Sequence, residues 1–592
     1  MSDESATHWK LRFTAPEVGL PKWADAASDR LAFVSTESGV RQAWLLDRTT
    51  GERRQASNDD VGVEHVLVAP DGRIVWWFDA VGDERGHWVA VPFEGGEPTP
   101  LVLGVPDGWS MGIAMVNDTV AVGLSTDEDY RVYVAVGAAP ARLIYRLERP
   151  AGVGRSWPEG AGGLSADGAL LCVRHAEHGD IIHYALRVLD VATGETVGDL
   201  EDPGRTLDPV DWSPGGSRLL FTSELGPHER PGVWDPVSGE RHDVSVDLPG
   251  AVIPLGWYPD GSTVLARHEH DAVDRLRRID VASGRESLVA DPVGEIQDAA
   301  VRPDGEIWLT VSDTNHPLGP QTASGEPVIE TAGSPAPPGR PYSSYRFANA
   351  HGDRIQAFLV TPEGPGPFPV VMHVHGGPEW HHRVRWEPEI QALADAGFAV
   401  ALVNYRGSTG YGVAFRERLV GDPWFPESED VIACLDALIA DGVADGDRAF
   451  FAGWSWGGCL ACLNEGLHPD RWRAVFAGIP AGDLVAAHWA SMPTIQAYDA
   501  TLYGGDPTEQ PDLWRERNPM TYVGRARAPL LVIAGENDPR CPPEGITPFT
   551  DALRARGVDV QVYMYPTGHH ANATDERIRH VEMILEFFRR HI

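Results

Sequence analysis

Cysteine is scarce: only Cys172, Cys434, Cys459, Cys462 and Cys541 occur in 592 residues. The count is odd and shows none of the paired spacings of a zinc site or a disulfide framework, which excludes a stapled secreted scaffold. Cys459 and Cys462, one helical turn apart, are expected to face a packed interior rather than form a redox pair. No uninterrupted apolar run approaches the roughly 18 residues of a membrane helix. The opening residues, MSDESATHWK, lack the basic and apolar regions of a secretory signal, so a cytoplasmic protein is expected. Basic residues are also short, 49 Lys and Arg against 86 Asp and Glu, for a formal net charge of −37. Such a field repels phosphate backbones and anionic lipids, which excludes nucleic acid and membrane partners. It favours cationic or amine-bearing ligands, although a solvated acidic surface that aids solubility gives the same composition.

What is present points to more than one domain. A chain of 592 residues exceeds what one hydrophobic core supports, and its 42% apolar and 23% charged content is that of a globular protein. One short pattern recurs along the first half. SDRLAF near Asp29, PDGRIVWW near Asp71, NDTVAVG near Asp118, SADGALLCV near Asp167, SPGGSRLLF near Gly215, YPDGSTVLA near Asp260 and RPDGEIWLT near Asp304 are spaced 42, 47, 49, 48, 45 and 44 residues apart. Each tight turn leads into a run of β-branched and aromatic residues, as a hairpin requires, and the period is that of a four-stranded propeller blade. A second turn, LDRTTGE at 46–52, LDVATGE at 189–195, WDPVSGE at 234–240 and IDVASGR at 279–285, is read as the hairpin at the other side of a blade. These repeats predict an N-terminal segment over 1–19 and a seven-bladed β-propeller over 20–315.

Residues 312–341 are dense in proline, glycine and small polar residues, and a linker is read over 316–340. Beyond it, strand-like runs such as FPVVMHVHGG, FAVALVNYRG, RAFFAGWS, APLLVIAG and VDVQVYMYP alternate with helical stretches, the rhythm of a parallel α/β sheet over 341–592.

Within that half, Gly453-Trp454-Ser455-Trp456-Gly457 has G-x-S-x-G spacing. A nucleophile on a sharp strand-to-helix turn forces backbone segments together, so glycine is needed two residues before and after the serine. Alone the motif is weak, but its partners follow in order. Ser455 follows RAFFAGW, Asp538 follows PLLVIAGEN and His569 follows VQVYMYPTG, each at the carboxyl end of an expected strand. The chemistry needs all three: His569 takes the hydroxyl proton and returns it to the leaving group, and Asp538 fixes and stabilises the imidazole. Gly376 and Gly377 in HVHGGPEW follow another strand, where the N–H of Gly377 can join that of Trp456 to hold an oxyanion. His570 is adjacent to His569 and stays an alternative.

The set HGGPE, NYRGSTGYG, GWSWGG, GENDPRCPP and YPTGHH, behind a propeller, resembles the prolyl oligopeptidase family of serine peptidases, nearest to its acylaminoacyl-peptidase and aminopeptidase branch. The resemblance spans nearly the whole chain. It implies a propeller and an α/β-hydrolase domain, no metal or organic cofactor, and Arg540 binding a carbonyl of the peptide or acyl group. YPTGHH is one residue shorter than the family's usual turn, which keeps His570 open. Glu379 and Trp380 beside the oxyanion loop, and Trp454 beside the nucleophile, are taken as substrate-binding, the aromatic lining favouring an apolar or aromatic residue next to the scissile bond.

Histidines two apart in MHVH (372–375) and RHEH (267–270) could suggest a metal, but no third ligand stands near and none is expected. HHR (381–383) is read as a polar loop near the active-site mouth. The expected function is hydrolysis of short peptides or peptide-like amides near the amino terminus, as an aminopeptidase, acylaminoacyl peptidase or dipeptidyl-type enzyme, with homo-oligomers allowed. An esterase or acyltransferase of a small metabolite, and a propeller binding protein with an inactive hydrolase domain, are the alternatives.

Overall fold

The computed structural model describes residues 8–155, 160–331 and 336–592. The first seven residues and 332–335 of the expected linker lie outside them. From Arg30 to Thr322 the chain forms successive antiparallel sheets whose strands run in chain order, the arrangement of a propeller. Three four-stranded sheets span Ala151–Leu200, Leu207–Asp243 and Ala251–Ala290. Before them, two four-stranded groups are joined through one short pairing, Arg85 and Gly86 with Trp109 and Gly108.

The first and last sheets, Arg30–Gln55 and Glu295–Thr322, meet. Lys22 Nζ lies 2.9 Å from Asp298, Trp23 packs edge-on against Trp308 at 5.5 Å, and the Val18 N–H donates to Leu318 O at 2.8 Å. Pairing of Gly319–Thr322 with the preceding strand carries the last sheet beyond residue 315, into the segment read as linker.

The repeated turns of the sequence join strands as hairpins. NDTVAVG lacks glycine at the turn, and Asn117 supplies the left-handed conformation itself, with φ 53°. The two sets of turns are not at opposite sides of a sheet. In an antiparallel meander the first and third connections lie at the same end, one by the inner pair of strands and one by the outer. The connections at the other end, such as Val81–Glu84 and Glu224–Glu229, meet the second domain.

That domain is built on one eight-stranded sheet: β1 (Ser343–Ala348), β2 (Arg354–Val360), β3 (Phe368–Val374), β4 (Ala399–Asn404), β5 (Ala444–Trp454), β6 (Ala474–Gly478), β7 (Leu530–Gly535) and β8 (Val560–Tyr565). The order is β1-β2-β4-β3-β5-β6-β7-β8, with the β1–β2 and β2–β4 pairings antiparallel and the rest parallel. Every residue of β4, β6 and β7 is buried, because helices cover both faces of a parallel sheet. The N-terminal segment joins this core. Trp9 and Phe13 bury in it and Arg12 pairs with Asp395 at 2.7 Å, so the chain passes from the second domain into the propeller and returns.

Candidate active site

β5 ends at Trp454 and helix α1 (Trp456–Leu467) begins two residues later, which leaves Ser455 alone on the turn, at φ 55° and ψ −121°. A non-glycine residue in that region is strained, and the strain presents its side chain above the sheet. The bracketing glycines are sterically required. A Cβ on Gly457 would lie 2.4 Å from Val374 O, and one on Gly453 would lie 2.6 Å from the Gly457 backbone.

The loops after β7 and β8 bring the partners in. His569 Nε2 is 3.1 Å from Ser455 Oγ, and His569 Nδ1 is 2.7 Å from Asp538 Oδ2. The other oxygen of Asp538 accepts the backbone N–H groups of Arg540 and Cys541 at 2.8 and 2.9 Å. Burial alone would raise the Asp538 pKa. The charge of His569 and these hydrogen bonds outweigh it and hold the carboxyl below its usual range. His570 has an exposed side chain and, among the described residues, no hydrogen bond to Ser455 or Asp538.

The propeller reaches this loop directly. A Cβ on Gly568 would fall 1.6 Å from Gly82 O, so the residue before His569 must be glycine for the two domains to touch. Asn537, the neighbour of Asp538, donates to Val81 O at 2.9 Å.

Gly376 lies against the nucleophile, where a Cβ would meet Ser455 Cβ at 3.1 Å, and Gly377 follows at φ 119°. The Trp456 N–H, in the first turn of α1, has no partner within its helix. Both glycines, Trp456, Ser455 and His569 line a cavity of about 780 Å³, whose walls come from the second domain and Phe13.

One wall is aromatic, and most of it was not legible in the sequence. Trp456 stacks on Trp424 with ring centroids 3.6 Å apart, Trp424 Nε1 donates to Tyr503 OH at 2.6 Å, and Tyr503 stacks on Trp514 at 3.9 Å. Three separate segments supply these rings, so no local pattern announces them. His488 Nδ1 meets Asp499 at 3.2 Å in the same wall.

The remaining sequence-predicted residues fall around the cavity. Glu379 opens into it, and burial raises its carboxyl pKa against the charge of Arg416. Arg416 itself is paired across the interface with Glu224 at 2.8 Å. Trp380 is half-buried, with the Arg385 guanidinium 4.6 Å from its ring. Trp454 Nε1 donates to Glu389 at 3.0 Å. Arg540 is held by the propeller, its Nε 2.7 Å and its Nη2 3.0 Å from the two oxygens of Glu84.

HHR is not the polar loop expected. His381, His382 and Arg383 are buried, and Arg383 meets Glu269 at 2.7 Å and Glu295 at 3.1 Å. The Arg383 charge goes inside because the opposite domain supplies its carboxylates, which no local pattern could reveal.

The paired histidines have protein partners. His373 faces Glu389 at 3.3 Å, His375 faces Ser408 at 2.8 Å and His268 faces Pro249 O at 2.7 Å. Asp538, Cys541 and His569 place ligand atoms within 4.8 Å of one another. The carboxylate and imidazole are already bonded together. A contact with the Cys459 thiol, together with burial, pushes the Cys541 thiol well up, so it stays protonated and is a poor ligand. All five cysteines are buried and free.

Residues 383–592 match the profile of the prolyl oligopeptidase family. That match covers most of the second domain. The chain is 24% identical to dipeptidyl aminopeptidase BIII of Pseudoxanthomonas mexicana over 94% of its own length and 84% of that protein. It is 30% identical to the acylamino-acid-releasing enzyme of Rattus norvegicus, over 37% of the chain and 31% of the rat protein. The first curated relatives are thus matched over roughly a third of their length. Among solved structures, a puromycin hydrolase superposes with a TM-score of 0.79 at 21% identity, covering 98% of this chain and 95% of that one. That likeness covers both the N-terminal sheets and the domain that carries Ser455, Asp538 and His569. No helix among the described residues is long and apolar enough to cross a membrane.

Proposed function

We propose that the chain removes apolar or aromatic residues from the amino terminus of short peptides and peptide-like amides, through an acyl-enzyme on Ser455. The observation that carries this reading is the cavity of about 780 Å³ in the second domain. It opens on Ser455, is walled by Trp424 and Trp456, and carries the Glu379 carboxylate. Its volume supports small substrates. The rings support an apolar side chain at the scissile bond, and Glu379 supports a free ammonium.

In this reading Ser455 Oγ attacks the amide carbonyl while His569 Nε2 takes its proton. The oxyanion is held by the N–H groups of Gly377 and Trp456. The C–N bond then breaks, with the proton passing from His569 to the leaving amine. Water enters by the same route and frees the acid. Asp538 fixes the tautomer of His569, and Arg540 faces the substrate carbonyl from its pairing with Glu84. No cofactor enters. We further read the N-terminal sheets, with residues 18–22 completing the first, as seven blades that restrict access to small substrates.

The test is a panel of aminoacyl and dipeptidyl amides, and puromycin, each offered with a free and an acetylated amino terminus, with Ser455→Ala as the blank. A preference for free amines of aromatic residues supports the proposal. A preference for acetylated ones overturns the ammonium role of Glu379 and makes the enzyme an acylaminoacyl peptidase. No turnover despite fluorophosphonate labelling of Ser455 favours an esterase or acyltransferase.

A further inference from the structure

The rings of the aromatic wall lead from Ser455 to a carboxylate that the reaction does not use. Trp456 follows the nucleophile and stacks on Trp424, Trp424 Nε1 donates to Tyr503 OH, and Tyr503 stacks on Trp514. The His488 ring packs against Trp514 with centroids 4.9 Å apart, and His488 Nδ1 meets Asp499 Oδ2 at 3.2 Å. Ser455, the rings and Asp499 all line the one cavity.

The helix that carries Asp499 turns it the same way. In α2 (Pro493–Tyr503) the cavity-lining residues are Ile495, Tyr498, Asp499 and Tyr503, at i, i+3, i+4 and i+8, which is one face of a helix. The other three are apolar or aromatic. A carboxylate among them loses hydration, and burial raises the Asp499 pKa against the hydrogen bond and charge of His488.

His488 satisfies only one of its oxygens. Asp499 Oδ1 takes no hydrogen bond among the described residues, yet it is accessible rather than enclosed, and the side chain is 20% exposed. An open acceptor in an aromatic pocket recognises a donor on whatever side chain enters.

The surroundings decide which donor that is. Four rings offer faces and edges to a flat side chain. A cationic side chain would bring a full charge out of water, whereas a neutral O–H completes the bonding of Oδ1 without one.

We propose that Asp499 is a specificity-determining residue, through which the pocket prefers an aromatic ring ending in a hydrogen-bond donor. Substrates with a tyrosine side chain beside the scissile bond are then favoured over those with phenylalanine or O-methyltyrosine. This deepens the function proposed above and rests on it for the reaction, whereas binding in the pocket stands apart from any chemistry.

Binding is therefore read on the full-length Ser455→Ala variant, with 4-ethylphenol, 4-ethylanisole and butylguanidine as probes. The phenol should bind about tenfold tighter than its methyl ether, and the cation more weakly than the phenol. Adding Asp499→Ala should make phenol and ether bind alike, with thermal melting to show that the double variant is folded. No saturable binding of the phenol, equal affinity for phenol and ether, or tightest binding of butylguanidine overturns the proposal without any substitution at Asp499. A phenol preference that survives in the folded double variant overturns it too. Phenol selectivity with no turnover of any aminoacyl amide by the wild-type chain would sink the proposed activity and leave the pocket standing. Turnover without phenol selectivity would do the reverse.

Discussion

The Arg383 guanidinium, in the loop that follows Gly377, lies 2.7 Å from Glu269 and 3.1 Å from Glu295, carboxylates of two neighbouring propeller sheets. Its Nε is also 3.7 Å from Asp274. The oxyanion loop of one domain is thus fastened by the other, and seating the propeller sets the backbone beside the nucleophile.

Arg383→Met should expose this dependence. Removing one partner of a buried ionic cluster costs about 3–5 kcal/mol, because the carboxylates left behind are uncompensated. The melting temperature should fall and kcat should drop more than KM rises, because Gly377 is displaced while the aromatic wall stays. Wild-type melting together with wild-type kcat would show that the loop holds its place unaided.

The two adjacent histidines separate by mutation. Asp538→Asn should lower kcat by about 10⁴-fold, since the His569 tautomer is lost. His569→Ala should lose at least about as much, whereas His570→Ala should stay within about tenfold of wild type. Steady-state rates on one aminoacyl amide decide it, and a reversed order of the two histidine variants would transfer the base to His570.

The aromatic wall predicts side-chain preference. Trp424→Ala removes the ring stacked on Trp456 at 3.6 Å. A lost aromatic pair costs about 0.5–1.5 kcal/mol beyond its buried area. KM for a phenylalanine amide should rise several-fold while that for an alanine amide changes little. Equal effects on both would place the aromatic residue of the substrate elsewhere.

Glu427 gives the chain a pH-dependent stability. It is fully buried near the aromatic wall, where it accepts from Trp456 Nε1 at 3.2 Å. Burial pushes its carboxyl up to about 8, from 4.5. The folded state therefore holds a proton that the unfolded chain has released, so stability falls as pH rises from 4.5 to about 8. Glu427→Gln keeps the group neutral and should flatten this part of the curve, as read by urea midpoints at pH values either side of that window. An unchanged slope would mean the carboxyl ionises in its usual range.

Local pattern carried much of this. Turn signatures announced the hairpins because a tight turn needs particular residues at particular positions, and Asn117 shows the rule surviving a substitution. Ser455, Asp538 and His569 were legible because each directly follows a strand of a parallel sheet, where the chain must leave the sheet at the same edge. The glycines around Ser455 were legible for a similar reason, since close backbone approach admits no other residue there.

Tertiary structure decided what depends on segments far apart in the chain. Glu84 is separated from Arg540 by 456 residues, and Glu269 from Arg383 by 114. The HHR triplet read as surface because charge in a sequence looks solvated until its counter-charges are found. Only the seating of the propeller buried it, and only the folded core gathered Trp424, Trp456, Tyr503 and Trp514 into one wall. The sequence by itself determined the two architectures and the order of the reacting groups, because periodicity and turn chemistry are local. The burial of Arg383 and the holding of Arg540 came from the meeting of two domains, because burial and ion pairing are properties of neighbours in space.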